Sequence, residues 1–311
     1  MKLPRLMLRQ LWKLHISAYK GVIMSELIAL CPNPFRDINL ELTRKAQNIL
    51  HAEGFDTAVC PVFGENDRGA IPQDIETVSW NYIAESANLI IIIGGDGTIL
   101  HAARMLNHID RPLLGINLGT KGFMAALEPD EIELIAEAAK GNYYNSYRMM
   151  LDVELIRNGE TVYSDCGLND VVIHGMGDCI RLTAWGDNDR VMSFSGDGII
   201  VSTPTGSTGY SMSAGGPIVE PEAKNFIISP ICAHVIGSKT FVLNPNRKIT
   251  LKAQKIHDRR AFVSVDGADG IEIHNDDVMI VRQSEKTMNL VNMHTKSFYD
   301  STFDKLLYKN T

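Results

Sequence analysis

The sequence predicts an α/β N-terminal domain built on a parallel sheet, followed by a β-rich C-terminal domain. From Glu26 to about Asn145, short β-rich runs alternate with helical stretches, and strands interleaved with helices form parallel sheets. The run Leu89–Ile93 is apolar without alternation, as a parallel strand covered on both faces should be. After about Asn145 the pattern changes to alternating runs joined by turn signals such as Asn158-Gly159, the strongest short-range hairpin cue.

The elements follow in chain order. Leu27–Cys31 reads as a strand, ended by Pro32-Asn33-Pro34. Asn39–Glu53 sets Leu40, Leu42, Ala46 and Leu50 at near-helical spacing, with Gly54 as a C-cap. Thr57–Phe63 is a second strand and Ile75–Ala87 a second helical stretch. Beyond Leu89–Ile93, a helix begins near Thr98 and continues through His101–His108; Pro112–Ile116 is a strand and Pro129–Lys140 an amphipathic helix. In the second half, Leu151–Arg157 and Thr161–Cys166 flank the hairpin turn. Cys179–Trp185, Val191–Phe194, Gly198–Ser202, Lys248–Ala253, Ala261–Val265, Ile271–His274 and Val278–Arg282 continue the β series. The expected organisation is an α/β domain over 24–145, a β-rich domain over 146–290, and a C-terminal segment, 291–311, packing back on the first domain.

Residues 1–23 stand apart. They carry Lys2, Arg5, Arg9, Lys13 and Lys20 and no acidic residue. The unbroken apolar stretch and small-residue cleavage site of a signal peptide are missing. The expectation is a poorly ordered extension, or a true start at Met24.

Composition narrows the function. With 311 residues, 45% of them apolar, the chain can bury a substantial core. Lys+Arg of 30 against Asp+Glu of 37 gives a net charge of -7, which argues against a protein built to coat nucleic acid. Leu89–Ile93 is far shorter than the roughly 20 residues of a membrane span, so no stable membrane association is expected. Five scattered cysteines without a C-x-x-C pair form no disulfide or zinc framework; reduced thiols in a cytoplasmic protein are expected.

The sharpest chemical signal is Gly94-Gly95-Asp96-Gly97-Thr98, directly after the buried strand. Ligands of open α/β sheets bind beyond the carboxyl ends of the strands. Glycines there let backbone N–H groups approach a phosphate, and the following helix adds the positive end of its dipole. A carboxylate among them would repel phosphate, so Asp96 needs a purpose: taking a proton from an attacking hydroxyl, or helping to hold a metal. A second glycine-rich turn, Gly115–Phe123, could face the first across a crevice. Farther on, Asn169-Asp170 precedes an apolar strand; Asn is donor and acceptor, and Asp can take both hydroxyls of a ribose. Ser195–Pro217 is a long run of small and hydroxylated residues, too slight to fill a core, with Tyr210 offering a face to a planar base.

These motifs, in this order and spacing, resemble the bacterial NAD kinases over about residues 26–308. The resemblance implies a Rossmann-like α/β domain of the G-G-D-G-T kinase type and phosphorylation of the adenosine-ribose 2′-hydroxyl of NAD by Mg²⁺-ATP. It implies Asp96 as the base, with Gly97, His101 and Phe123 at the substrate and Gly94, Gly95 and Thr98 in the phosphate loop. Asn169 and Asp170 would grip the dinucleotide, and Asp197 would stand near the nicotinamide end. Thr208, Gly209, Tyr210 and Ser213 would contact adenine and ribose. No protein-built metal centre is implied, and the assembly would be a homodimer or homotetramer. Asp170 stands where Glu is commoner and Gly209 where Ala is commoner. Two other readings remain open on sequence: a lipid kinase sharing the G-G-D-G-T loop, and a non-catalytic dinucleotide sensor.

Overall fold

The computed structural model describes residues 26–63, 71–106, 111–119, 122–177, 179–235, 237–254, 256, 260–293, 295 and 297–306. The basic segment 1–23 lies outside the described residues.

The first half is built on β1 (Leu27–Pro32), β2 (Asp56–Val59), β3 (Leu89–Gly94) and β4 (Leu113–Asn117), all parallel in the order β2-β1-β3-β4. Every residue of β3 is buried. Its alternate side chains feed two separate cores, Ile90 and Ile92 on one face, Ile91 and Ile93 on the other. Helices α1 (Glu41–Ala52), α2 (Trp80–Ser86), α3 (Asp96–Met105) and α4 (Ile135–Ala139) cover those faces. Ala46 and Leu50 of α1 pack with Ile135 and Ala138 of α4, while Ile83 of α2 packs with Ile99, Ala102 and Ala103 of α3.

The helices are shorter than their periodicity predicts, for local reasons. Ahead of α1, Asn39 and Leu40 both take φ of +53°, and Asp37 caps the helix by accepting the amides of Leu42 and Thr43 at 2.9 and 3.0 Å. The stretch expected as helix from Ile75 starts only at Trp80, because Thr77 bridges Val59 and Val78 donates to the Val59 carbonyl. Ser79 then caps Tyr82. Helix α3 begins two residues earlier than expected, at Asp96, and ends at Met105. Residues 129–134 form a tighter 3-10 turn before α4, with Glu131 reaching back to the Glu128 amide at 2.9 Å.

The second half packs two six-stranded antiparallel sheets face to face. The strands are β5 (Tyr147–Arg157), β6 (Glu160–Gly167), β7 (Asp170–Gly175), β8 (Ile180–Gly186), β9 (Asp189–Gly196) and β10 (Gly198–Ser202). Then come β11 (Phe226–Ile231), β12 (Phe241–Leu243), β13 (Ile249–Gln254), β14 (Ala261–Val265), β15 (Ile271–Ile273) and β16 (Val278–Asn289). One sheet runs β12-β11-β10-β7-β14-β15, the other β6-β5-β16-β13-β8-β9. Asn158 and Gly159 join β5 to β6 with φ of +53° and +85°, the pair of positive angles a type I′ turn requires. Strand β16 runs well past Arg282, through an irregularity between Gln283 and Thr287. Strands β11 and β12 have no counterpart among the sequence expectations.

The two halves share apolar packing. Ile99, Ala102, Ala103 and Leu106 meet Met150, Cys166, Leu168, Met288 and Leu290 in one cluster. Across the same boundary Arg104 of α3 pairs with Asp165 of β6 at 2.5 Å. After β16 the chain crosses back, Leu290 bridging Leu113 and Asn292 bridging Tyr144, to end in α5 (Tyr210–Ser213 being a separate single turn, and α5 here Phe298–Leu306).

Candidate active site

The loop after β3 is shaped by close approach. A Cβ on Gly94 would lie 2.4 Å from the Thr98 hydroxyl, and one on Gly119 would lie 3.3 Å from Gly95 Cα. The two glycine turns therefore lie against each other, with little room for a side chain at Gly119. Thr98 is buried and accepts from Asn33 Nδ2 at 3.1 Å. Gly97 is exposed, with open space around it.

Asp96 opens α3 and holds the second turn. Its Oδ2 accepts the Phe123 amide at 2.8 Å and its Oδ1 the Met124 amide at 3.1 Å. Burial pushes its carboxyl above the usual range, against those two amides and the charge of Lys305, which pull it down. The carboxylate thus has a structural task that the sequence did not reveal. His101 lies against Phe63, ring centroids 4.7 Å apart. Burial and then the Arg104 charge lower its pKa.

One turn beyond Asp96, Leu100 lines a cleft of about 640 Å³. The opposite wall is Asn169, Asp170, His174, Asp197, Tyr210 and Asp266, with Cys232 at the rim. Asp266 occupies a tight turn at φ +50° and accepts the amides of Leu168, Asn169 and Asp170 at 2.7 to 3.0 Å. Beside it, the buried Asp170 carboxyl is pushed up to about 7 by burial and by the Asp266 charge. Burial also raises Asp266, in spite of its three amides. Asn169 Oδ1 is buried with no hydrogen-bond partner among the described residues. A buried acceptor left unpaired costs about 1–3 kcal/mol, so this atom is set up for a donor from a bound molecule. Asp197 faces the Cys232 thiol, whose pKa it raises.

The hydroxyl-rich stretch behaves differently from expectation. Ser202, Thr203, Thr205, Ser207 and Ser211 are buried and do fill core space. Most of their hydroxyls are used internally. Thr203 donates to the Leu168 carbonyl at 2.6 Å, Ser207 to that of Val219 at 3.2 Å, and Ser211 meets Ser229 at 3.0 Å. A Cβ on Gly206 would sit 2.2 Å from the Asn169 carbonyl oxygen, so the segment is wrapped tightly around Asn169. Thr208 bonds the Thr205 carbonyl at 3.4 Å. Gly209 would meet Asn169 Nδ2 at 3.5 Å if it carried a Cβ. Tyr210 is half exposed on the cleft, and Ser213 is exposed outside its lining.

The cleft thus gathers Asn169, Asp170, Asp197 and Tyr210. Asp96 and Phe123, bonded to each other, lie outside its lining, which α3 reaches through Leu100. Sequence reasoning missed Asp266, His174 and Cys232. The Asp266-Gly267 pair was available as a signal, but after a strand it looks like an ordinary turn.

Comparison with known proteins gives a consistent result. Family models of the ATP-NAD kinase N-terminal and C-terminal domains match residues 28–143 and 168–293. An NAD kinase of Acetivibrio thermocellus is 36% identical over 278 residues, covering 88% of this chain and 94% of the relative. One from Natranaerobius thermophilus is 36% identical over 284 residues, covering 90% of this chain and 97% of the relative. Yeast NADH kinase, solved with NADH, shares the fold at a TM-score of 0.79 and 23% identity, covering 92% of this chain and 89% of that one. An Archaeoglobus fulgidus NAD kinase solved with ATP does so at 0.67 and 24%, covering 90% and 98%.

Proposed function

The chain belongs to the NAD kinase family, and on that premise we propose how its cleft moves a phosphoryl group from ATP to the adenosine-ribose 2′-hydroxyl of NAD. The enzyme is a nucleotide-binding phosphotransferase of NADP synthesis. Neither a lipid kinase nor a silent sensor has support beside relatives of that name over nearly the whole chain.

Asp96 takes the proton of the 2′-hydroxyl as its oxygen attacks the γ-phosphorus; ADP leaves and NADP remains. The observation that carries this role is a half-buried carboxylate fixed by two amides at the start of a helix beyond β3. Its raised pKa suits a base better than that of an ordinary Asp. Gly94 and Gly95 make room for Thr98 and for the second glycine turn, shaping the loop that would meet the nucleotide phosphates, and Gly97 is open toward the substrate. Kinase Mg²⁺ is held by one or two carboxylates together with substrate phosphates, and Asp96 is a hard oxygen donor that fits such a set. When bound with ATP, the ion neutralises charge on the transferring group.

NAD occupies the cleft. Asn169 Oδ1 accepts a donor from the dinucleotide, and ionised Asp170 takes ribose hydroxyls. Tyr210 lies along the adenine, flanked by Thr208, Gly209 and Ser213, and Asp197 stands toward the nicotinamide. Phe123 borders the substrate, and His101, packed against Phe63, contributes shape. A cytoplasmic homodimer or homotetramer is supported by five free thiols and by exposed Phe241 and Val242 on the outer strand β12; light scattering of the purified protein tests the assembly.

The activity assay supplies NAD, Mg²⁺ and ATP and reads NADP with an NADP-specific dehydrogenase. ATP-dependent NADP is expected. NAD binding without any NADP would contradict the reading.

A further inference from the structure

We propose that Lys305 is a positioning residue for the phosphoryl transfer, holding the second glycine turn from the C-terminal helix so that the turn's amides stay on Asp96. The proposal rests on the assignment of Asp96 as the base.

Lys305 grips the turn in three ways. Its ammonium donates to the Gly122 carbonyl, lies 5.8 Å from the Phe123 ring centroid, and stands 3.7 Å from Glu128 Oε1. The two amides that follow Gly122, those of Phe123 and Met124, are the ones that bind Asp96. Glu128 is itself held by Asn117 Nδ2 at 3.0 Å, while Asn117 Oδ1 takes the Gly119 amide at 2.9 Å. One cation from the chain's far end therefore ties together both ends of the wall behind Asp96.

That wall is otherwise poorly backed. A cavity of about 80 Å³ lies behind it, lined by Phe123, Met124, Arg148, Phe298, Ser301 and Lys305. A void offers no packing atoms to resist movement, so the tether across it restrains the turn. The side chain of Lys305 is only 17% exposed, which keeps its charge effective. Among the charged groups nearby, Lys305 acts on Asp96 directly; Arg104 lies farther along α3, Glu128 beside Lys305, and Asp170 and Asp266 line the cleft.

The test compares wild type with K305M, K305R and D96N, measuring kcat, KM and amide exchange at Phe123 and Met124. For K305M, kcat is expected to fall about 10- to 100-fold, as for a displaced catalytic group. Exchange at the two amides should speed up, with K305R restoring most of the loss. Wild-type kcat and unchanged exchange in K305M would overturn the proposal, even if its melting temperature fell. Should K305M not fold, K305Q carries the same readouts. D96N that keeps turnover defeats the base assignment; D96N that is inactive while K305M behaves as wild type defeats the role of Lys305 alone.

Discussion

The wall at Asp96 and the knot at Asp170 bury the same side chain in opposite electrostatic surroundings. Asp96 sits at a helix N-terminus, with an amide on each oxygen and a lysine within range of its charge. Asp170 sits in a sheet beside a second carboxylate, Asp266, which has taken the nearby amides for itself. Burial raises both pKa values, but only at Asp96 do partners oppose it. Environment, not residue type, divides the work. On the reading proposed, Asp96 is held in orientation for proton transfer by its two amides, whereas Asp170, pushed up to about 7, tunes substrate binding.

The largest expected effect separates the two sides. D96N should bind NAD while losing about 10²–10⁴-fold in kcat, the usual contribution of a general base. Because an amide replaces one acceptor for Phe123 or Met124, its melting temperature belongs beside the kinetics. Next, D266A leaves the amides of Leu168, Asn169 and Asp170 without their acceptor. A loss of about 2–5 kcal/mol in stability is expected from unpaired buried groups, read by urea denaturation, with a raised KM for NAD. D266N should be milder and, by removing the like charge, should lower the pKa of Asp170.

A smaller effect concerns pH. The Asp170 carboxyl, at about 7 when folded, is ionised above that value and protonated below it. KM for NAD should therefore rise as pH falls through 7, and D170N should flatten the dependence. The same shift bears on stability: a folded pKa above the unfolded one means that folding is weakened as pH rises through 7. Smallest is the link between the halves. R104M removes the partner of Asp165, which then keeps only Tyr163 and its own local amide contact. For a pair with the arginine one-third exposed, about 1 kcal/mol is expected, with little change in kcat.

The parallel sheet was legible because Leu89–Ile93 leaves no polar position to face water. The Asp96 loop was legible because glycines on either side of a carboxylate have few structural uses. Strand β11 was not read: Pro230 within it argues against a central strand, yet the whole run is buried and pairs with β10 on one side and β12 on the other. The hydroxyl-rich run misled in a different way. Its small side chains pack by close backbone approach around Asn169, which composition does not encode. Asp266 and Lys305 are joined to the site by contacts between residues far apart in the chain, so neither spacing nor periodicity marks them.

The most direct test of this division of labour is the pH dependence of kcat and of KM for NAD, in wild type and D170N. The account predicts that the acid limb on kcat persists in D170N while the one on KM disappears. Loss of the kcat limb in D170N would make Asp170 the base and contradict the role given to Asp96.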